Sequence, residues 1–377
     1  MRLEPVDTAD ARAVLRALRG AVLGAGPAVA LGAGVARDVP AGTAVVVTTS
    51  GSTGYPKSVV LSRSALTSGA LATAERLGSG SWLLALPASY VAGVQVLVRA
   101  LVAGREPAML TGAFQPAAFA AAAAGMASSE NGHRVPTYTS LVPAQLHRLL
   151  DAGDADPRIR AALASFEAIL VGGQALPAAL AERAAEAGAR IVRTYGSTET
   201  SGGCVYDGIA LGGVGVRVTD GEVQLSGPTL ADGYLDDPER TDAVFVRDTD
   251  GTRWYRTGDA GTFDGRVLQV TGRIDNVIVS GGINVSLDRV ERVVRGIPGL
   301  ASAAVVPVAD ERWGQASVVV APRSAGTEAA LLAAVREAVA DEVGAPARPR
   351  AVVLVGDMPH LPSGKPDRAA LRSLVGG

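Results

Sequence analysis

The chain has 377 residues, of which 48% are hydrophobic and 19% are charged, and its formal net charge is −2. At ~150 residues per domain, this length predicts two or three domains of ordinary globular composition. A net charge so close to zero gives no argument for binding to nucleic acid or to an anionic membrane. Because Cys204 is the single cysteine, an internal disulfide is excluded and we expect a reducing, cytoplasmic location.

No segment has the sequence of a secretion signal or a membrane span. Three of the first ten residues are acidic, and the uncharged run 82–98 contains Pro87 and is just short of the ~18 residues that a span needs. The three histidines form no metal-binding cluster, so any metal must arrive with a substrate; they are His133, His147 and His360.

Residues 1 to 43 are predicted to form a helix over 10–18, followed by a glycine-rich connector. Gly32 and Gly34 form a GxG pair, but Arg37 stands where a dinucleotide-binding fingerprint needs glycine or alanine. We therefore predict no dinucleotide site here.

The stretch from Thr48 to Lys57, with the sequence TTSGSTGYPK, has the composition of a phosphate-binding loop between strands at 44–49 and 58–61. Glycines let the backbone approach an anion, N–H and hydroxyl groups donate to phosphate oxygens, and the lysine adds a positive charge. Because Pro56 precedes Lys57 and a strand follows, the spacing disfavours a P-loop NTPase. The alternative, a serine- and glycine-rich surface turn, stays open at this point.

Lysine usage singles out two positions. Lys and Arg total 35, and the lysines among them are Lys57 and Lys365, each in a glycine-bearing loop. Chance is one explanation. The functional interpretation is that both positions need a compact, flexible ammonium and not a planar guanidinium.

Strands and helices then alternate up to residue 200. The predicted helices cover 64–77 (capped by Ser62 or Ser64), the apolar stretch from the turn at Pro87 to 102, 116–127, 143–150 and 177–187, and the predicted strands cover 82–86, 168–171 and 190–193. This alternation predicts a mostly parallel sheet, whose ligands bind beyond the carboxyl ends of the strands. Three candidate binding loops each follow a predicted strand, namely 48–57, 172–174 and 194–200.

The last third of the chain changes character twice. Short strands with Asp-Gly turns predict a β-rich subdomain over about 215–270, with the TGD sequence at 257–259 closing one strand. A compact α/β pattern follows, with helices at 288–295 and 328–342 and strands at 303–308, 317–321 and 351–355. The predicted fold class is α/β: a large N-terminal domain (1–274) of mixed and parallel sheets with flanking helices, and a small, mobile α+β C-terminal domain (275–377) on a hinge.

Five motifs occur in an order that resembles the adenylate-forming acyl-CoA synthetases. They are TSGSTGYPK at 49–57, YGSTET at 195–200, TGD at 257–259, GRIDN at 272–276 and PSGK at 362–365. Smaller features are most similar to the o-succinylbenzoate-CoA ligases of menaquinone biosynthesis, namely VGGQALP at 171–177, LPASYVAG at 86–93, RTYGSTETSGGCVYDG at 193–208 and the short length. Since 47 residues precede the phosphate loop, we expect an abbreviated first subdomain.

The resemblance implies two half-reactions at one site. With ATP and Mg²⁺, an aromatic carboxylate would give an acyl-adenylate and pyrophosphate, and the thiol of coenzyme A would then displace AMP. It implies small-molecule substrates, with no nucleic acid and no membrane insertion, and it leaves a homodimer open.

The resemblance also implies a role for each motif residue. Glu199 would hold Mg²⁺, Thr198 would contact the α-phosphate, and Lys365 would bridge the attacking carboxylate and that phosphate. Tyr195 would stack on adenine and Asp259 would accept hydrogen bonds from the ribose. The full ATP-binding set is Thr49, Ser50, Gly51, Ser52, Thr53, Gly54, Lys57, Gly172, Gly173, Gln174, Tyr195, Gly196, Asp259 and Arg273.

The resemblance places the hinge at Asp275, about which residues 276–377 would rotate and exchange Lys365 for a loop near the thiol of coenzyme A, with Gly281 and Gly282. The acyl pocket departs from the family pattern, because Tyr90 replaces the histidine of the LPxxH segment. The pocket candidates are Tyr90, Ser201 and Gly202. A second substrate carboxylate would need a cation or several hydrogen-bond donors, and the sequence does not identify the residues that supply them.

Simpler interpretations of single residues stay open. Asp259 could be a turn former, Glu199 a carboxylate at a helix start, and Cys204 a small core hydrophobe. The alternative functions are another aryl- or acyl-CoA ligase, a stand-alone adenylation module that loads a carrier protein, and a nucleotide-binding regulator without activity.

Overall fold

The computed structural model describes residues 1–32, 36–50, 56–110, 112–126, 128–323, 326–361 and 364–375, and for Ser50 it describes the backbone only. In these residues no helix combines the length and the apolar character needed to cross a membrane.

The strands, in chain order, are β1 (Arg2–Pro5), β2 (Ala28–Leu31), β3 (Arg37–Asp38), β4 (Thr43–Ser50), β5 (Pro56–Ser62), β6 (Ser81–Leu84), β7 (Ala108–Met109), β8 (Ser129–Glu130), β9 (His133–Arg134), β10 (Thr137–Leu141), β11 (Ala168–Val171), β12 (Ile191–Ser197), β13 (Gly202–Tyr206), β14 (Ile209–Ala210), β15 (Gly215–Thr219), β16 (Glu222–Ser226), β17 (Gly233–Tyr234), β18 (Phe245–Arg247), β19 (Arg253–Phe263), β20 (Leu268–Arg273), β21 (Val277–Ser280), β22 (Ile283–Ser286), β23 (Ala304–Asp310), β24 (Gly314–Pro322) and β25 (Ala351–Val355). The helices are α1 (Ala11–Leu23), α2 (Arg63–Leu77), α3 (Val91–Val102), α4 (Pro116–Ala124), α5 (Pro143–Ala155), α6 (Pro157–Ser165), α7 (Ala178–Glu186), α8 (Pro238–Val244), α9 (Leu287–Arg295), α10 (Glu328–Glu342) and α11 (Arg368–Val375).

The first sheet carries the hairpin of the phosphate loop. Its strand order is β17-β5-β4-β2-β1-β3, and β4 and β5 pair antiparallel with Thr49 opposite Lys57. Both predicted flanking strands are confirmed, and Ser62 caps α2 by accepting from the backbone N–H of Ala65 at 3.1 Å. The predicted glycine-rich connector is wrong in part, because it contains β2, a fully buried strand that pairs parallel with β1 and β4.

The second sheet carries the VGGQALP and YGSTET segments, which lie at the ends of β11 and β12. Its order is β14-β13-β12-β11-β10-β6-β7, and the strands from β12 to β7 are parallel. The predicted loop at 194–200 is wrong: β12 continues to Ser197 because β13 folds back antiparallel on it, and a 3₁₀ turn fills Thr198–Thr200. The 48–57 loop belongs to the other sheet, so the three candidate segments do not follow neighbouring parallel strands.

A third sheet, of order β15-β16-β19-β18 with β20 on β19, matches the predicted β-rich segment. The TGD sequence does not close a strand. It lies inside β19, which continues to Phe263 because β20 pairs with this half of it, with Asp259 opposite Arg273.

The residues after 276 form a fourth sheet of order β22-β21-β24-β23, with β25 parallel to β24, under helices α9, α10 and α11. Between β21 and β22, Gly281 and Gly282 make a two-residue turn with φ of 57° and 82°. A side chain on Gly281 would also place Cβ 2.8 Å from the Trp313 ring, so this turn requires glycine there. The domain boundary at 274/275 stays a prediction.

Candidate active site

The phosphate-loop lysine contacts the YGSTET segment. Nζ of Lys57, on β5, forms an ion pair with Oε1 of Glu199, which lies in the 3₁₀ turn just after β12. The Glu199 side chain is 3% exposed, so this carboxylate is buried and neutralised by a partner 142 residues away in the chain. Of the predicted loop residues, Gly51, Ser52, Thr53, Gly54 and the side chain of Ser50 lie outside the described residues.

The electrostatics of Glu199 favour its charged form. Burial opposes ionisation, but the positive charge of Lys57 and the hydrogen bonds from Lys57 and Tyr234 outweigh it and lower the pKa of the carboxyl. The Tyr234 hydroxyl donates to Oε1 at 2.9 Å. The site therefore holds an anionic carboxylate beside the Lys57 ammonium.

Asp259 is the second carboxylate of the site and is partly buried, with 19% of its side chain exposed. Oδ2 accepts from the Tyr195 hydroxyl at 2.6 Å and Oδ1 accepts from Nη1 of Arg273 at 3.3 Å. Burial raises the pKa of Asp259, and the Tyr195 hydrogen bond and the Arg273 charge only partly offset that effect. Asp259 therefore contacts two side chains that are distant in sequence, which a residue that only forms a local turn would not need.

Arg273 connects this carboxylate to the predicted hinge. Its Nε and Nη2 donate to the two oxygens of Asp275 at 3.0 and 3.1 Å, and its Nη1 also donates to the carbonyl of Thr257 at 2.8 Å. The hydrogen bond to Asp275 raises the pKa of Arg273 and lowers that of Asp275. One guanidinium thus spans the ribose-binding candidate and the hinge candidate.

Lys365 comes from the opposite end of the chain into the same cleft. Nε2 of Gln174 donates to the carbonyl of Gly364 at 3.3 Å, and a Cβ placed on Gly173 would lie 3.8 Å from Cε of Lys365. The Lys365 residue is exposed, yet desolvation of its ammonium by the surrounding protein lowers its pKa, against the opposing charges of Asp259 and Glu199. Pro362 and Ser363 lie outside the described residues.

The structure therefore brings together the described residues of the predicted ATP site. Lys57 and Lys365 supply two cations, and two carboxylates face them, of which Glu199 is buried and Asp259 is partly buried. Thr198 starts the turn beside Glu199, while Gly172 and Gly196 permit close backbone approaches at the ends of β11 and in β12. Such a cleft can hold a polyphosphate between ammonium groups while a carboxylate receives sugar hydroxyls.

The acyl-pocket candidates lie around the start of α3. Tyr90 is the N-terminal boundary residue of α3, and burial raises the pKa of its hydroxyl. Ser201 is buried with a φ of 54°, and its Oγ has no hydrogen-bond partner in the part of the chain that the structure describes. Gly202 packs on Gln95, since a Cβ there would lie 2.9 Å from Cγ of Gln95.

Sequence reasoning missed Gln95 and Arg99, four residues apart on α3. Nη2 of Arg99 donates to the Tyr206 hydroxyl at 3.1 Å and its guanidinium stacks on Trp82, with 5.0 Å to the ring centroid. Nε of Arg99 and Oε1 of Gln95 have no partner, and no carboxylate pairs with Arg99, among the described residues. Burial lowers the pKa of this guanidinium. The sequence did contain a signal for Arg99, because this charged residue directly follows the apolar run VAGVQVLV.

The other predicted residues are placed as follows. Cys204 is buried in a hydrophobic cluster and its pKa is raised to about 12, as expected of a small core residue. In the described residues no hydrogen bond or ion pair joins the Gly281–Gly282 turn to the Lys57, Glu199, Asp259 and Lys365 cluster.

Family profiles match both parts of the chain. Residues 24–235 match the AMP-binding enzyme family, and residues 289–365 match the AMP-binding enzyme C-terminal domain. The chain belongs to the AMP-binding enzyme family.

Similar proteins of known name indicate which group of AMP-binding enzymes this chain resembles. A probable 2-succinylbenzoate--CoA ligase of Mycobacterium tuberculosis (strain ATCC 25618 / H37Rv) is 42% identical over 335 residues, which cover 87% of this chain and 83% of the relative. The 2-succinylbenzoate--CoA ligase of Escherichia coli (strain K12) is 33% identical over 283 residues, 72% of this chain and 57% of the relative. Among solved structures, the o-succinylbenzoate CoA synthetase (MenE) of Bacillus subtilis in complex with the acyl-adenylate intermediate OSB-AMP is similar with a TM-score of 0.71 at 26% identity, covering 88% of this chain and 69% of that one.

Proposed function

We propose that this protein is an AMP-forming acid–thiol ligase that activates o-succinylbenzoate with ATP and transfers it to coenzyme A, a step of menaquinone biosynthesis. The relatives named above support this substrate. The observation that carries the activity is the convergence of Lys57 and Lys365 on one cleft that also contains Glu199 and Asp259.

In the first half-reaction, an oxygen of the substrate carboxylate bonds to the α-phosphorus of ATP, and the bond from that phosphorus to pyrophosphate breaks. Lys57 leaves its ion pair with Glu199 to hold the leaving phosphates, while Asp259 accepts from the ribose hydroxyls. Lys365 donates to the attacking carboxylate and the α-phosphate, where it offsets the negative charge that builds up.

The residues fit a magnesium ion that is shared with the substrate. In the described residues no group of three or more His, Cys, Asp or Glu side chains could cage a metal. Glu199 supplies one hard, anionic oxygen ligand, which suits an ion that takes one or two carboxylates plus phosphate oxygens. Bound there, Mg²⁺ would neutralise phosphate charge, and we assign to Glu199 the task of holding it.

Arg99 accounts for the second carboxylate of o-succinylbenzoate. A buried cation without an anionic partner is costly, so its presence on α3 calls for an anion that arrives from outside. Gln95 lies one helical turn from Arg99, toward the pocket residues Ser201 and Gly202. Within the described part of the chain, Gln95, Arg99 and Ser201 each have one buried polar atom without a hydrogen-bond partner. We infer that the carboxylate that is not activated binds to Arg99.

In the second half-reaction, the sulfur of coenzyme A bonds to the acyl carbon and AMP leaves. We propose that residues 276–377 rotate about Asp275 for this step, which withdraws Lys365 and presents the Gly281–Gly282 turn. The Arg273–Asp275 ion pair is about half exposed, and we expect it to break during this rotation. A cytoplasmic location and a homodimer remain predictions.

A panel of carboxylic acids in a pyrophosphate-release assay tests the substrate. We expect o-succinylbenzoate to give the highest kcat/KM, with a thioester of free coenzyme A as the product. Preference for another aromatic acid would leave the ligase chemistry intact and overturn the substrate. Acyl transfer to a carrier protein but not to coenzyme A would favour the stand-alone adenylation module.

A further inference from the structure

The hydroxyl of Tyr234 is a buried hydrogen-bond donor to Glu199 that no motif predicted. Tyr234 is 8% exposed, and its hydroxyl donates to Oε1 of Glu199 at 2.9 Å, the same oxygen that the Lys57 ammonium contacts.

Backbone pairing fixes this tyrosine between the two sheets. β17 pairs antiparallel with β5, with Tyr234 opposite Val59, two residues from Lys57. Three residues earlier, the N–H of Ala231 donates to the carbonyl of Glu199 at 2.8 Å. The Lys57 ammonium also lies 5.4 Å from the centroid of the Tyr234 ring. The segment from Ala231 to Tyr234 thus holds the phosphate-loop strand and the Glu199 turn in register.

We propose that Tyr234 is a positioning residue that orients the Glu199 carboxylate for the divalent cation bound with ATP. This inference rests on the proposed function. When ATP draws Lys57 to its phosphates, Oε1 loses one of its two donors, and the neutral Tyr234 hydroxyl keeps the carboxylate in place without cancelling its charge. No described side chain donates to the other oxygen, Oε2, which is left for the cation.

The test is the binding of ATP by the full chain, measured by isothermal titration calorimetry with Mg²⁺ and with EDTA. We expect Tyr234→Phe to reduce the Mg²⁺-dependent gain in ATP affinity by about 10–100-fold, the range for partners of metal-ligating groups, while affinity in EDTA stays within a factor of about two. Tyr138→Phe is the matched control, since its buried hydroxyl donates to the carbonyl of Leu77 at 2.6 Å, away from the cleft. It should leave the Mg²⁺-dependent gain unchanged.

A double variant separates positioning from general packing. In a Glu199→Gln background the Mg²⁺-dependent gain should already be lost, and adding Tyr234→Phe should cause no further loss. An equal loss in both backgrounds would overturn the proposal, as would a Tyr234→Phe protein that binds Mg·ATP like the wild type.

A second measurement covers the case in which Tyr234→Phe does not fold. With 3-fluorotyrosine at position 234, the ¹⁹F resonance should shift when Mg²⁺ is added to the ATP complex, and an unshifted resonance would contradict the proposal. Wild-type protein that binds no ATP would instead overturn the proposed function itself.

Discussion

Replacing Arg99 by methionine should separate stability from substrate recognition. The change keeps an unbranched side chain of similar length in the core and removes a buried charge that has no carboxylate partner among the described residues. We expect the protein to stay folded and to lose its preference for a dicarboxylic acid.

The magnitudes follow from what Arg99 contacts. The wild-type side chain gains ~1 kcal/mol from its hydrogen bond to Tyr206 and up to ~2 kcal/mol from stacking on Trp82. Desolvating an uncompensated ion costs several kcal/mol, so the free energy of unfolding should be unchanged or higher in Arg99→Met. Leaving a bound carboxylate unpaired should cost about 3–5 kcal/mol, or roughly 10²–10⁴-fold in kcat/KM for o-succinylbenzoate.

The assay compares two acids and two variants. Pyrophosphate release is measured with o-succinylbenzoate and with 3-benzoylpropionate, which has the same keto acid chain but lacks the ring carboxylate, and urea unfolding reports stability. Arg148→Met is the matched control, because this exposed arginine stacks on Phe114 away from the cleft. It should change neither activity.

Two results would refute this reasoning. One is an Arg99→Met protein that is clearly less stable yet retains its kcat/KM for o-succinylbenzoate, which would make Arg99 a structural residue. The other is an equal loss with both acids, which would mean that Arg99 does not contact the second carboxylate.

Three further predictions concern the nucleotide end of the cleft. Lys365→Ala should slow pyrophosphate release by at least ~10²–10³-fold and leave the conversion of supplied acyl-adenylate to thioester unchanged; equal losses would contradict separate roles. Because the protein environment lowers the pKa of Lys365, and the ammonium is the active form, kcat/KM for adenylation should fall on the alkaline side below the free-lysine pKa of ~10.4, and a fall only above that value would argue against Lys365. Tyr195→Phe removes the 2.6 Å hydrogen bond to Asp259 and should raise the Kd for ATP about tenfold without changing the KM for the acid, as checked by calorimetry and steady-state kinetics.

Local patterns were sufficient to predict several of the elements. The hairpin of the phosphate loop, the cap at Ser62 and the helix over 328–342 each depend on residues close in sequence, and the structure has them all. The five ordered motifs identified the family for the same reason, since each is a short run of residues.

Features that depend on distant pairing were not predictable from the sequence. β12 extends to Ser197 only because β13 folds back on it, and the TGD sequence lies within β19 only because β20 pairs there. Among the described residues, the Glu199 side chain has two partners, Lys57 and Tyr234, which lie on the neighbouring strands β5 and β17 of the first sheet. Arg99 was missed because the absence of an anionic partner for it, as seen across the described residues, is a property of the packed core, which a helical pattern does not show.

The most direct test of the account is mass spectrometry of the products formed from ATP, Mg²⁺, coenzyme A and o-succinylbenzoate. We expect AMP, pyrophosphate and one o-succinylbenzoyl thioester per ATP consumed, with acyl-adenylate accumulating when coenzyme A is left out. Formation of ADP and phosphate would contradict this mechanism. So would thioester formation in the complete mixture with no acyl-adenylate in the mixture that lacks coenzyme A.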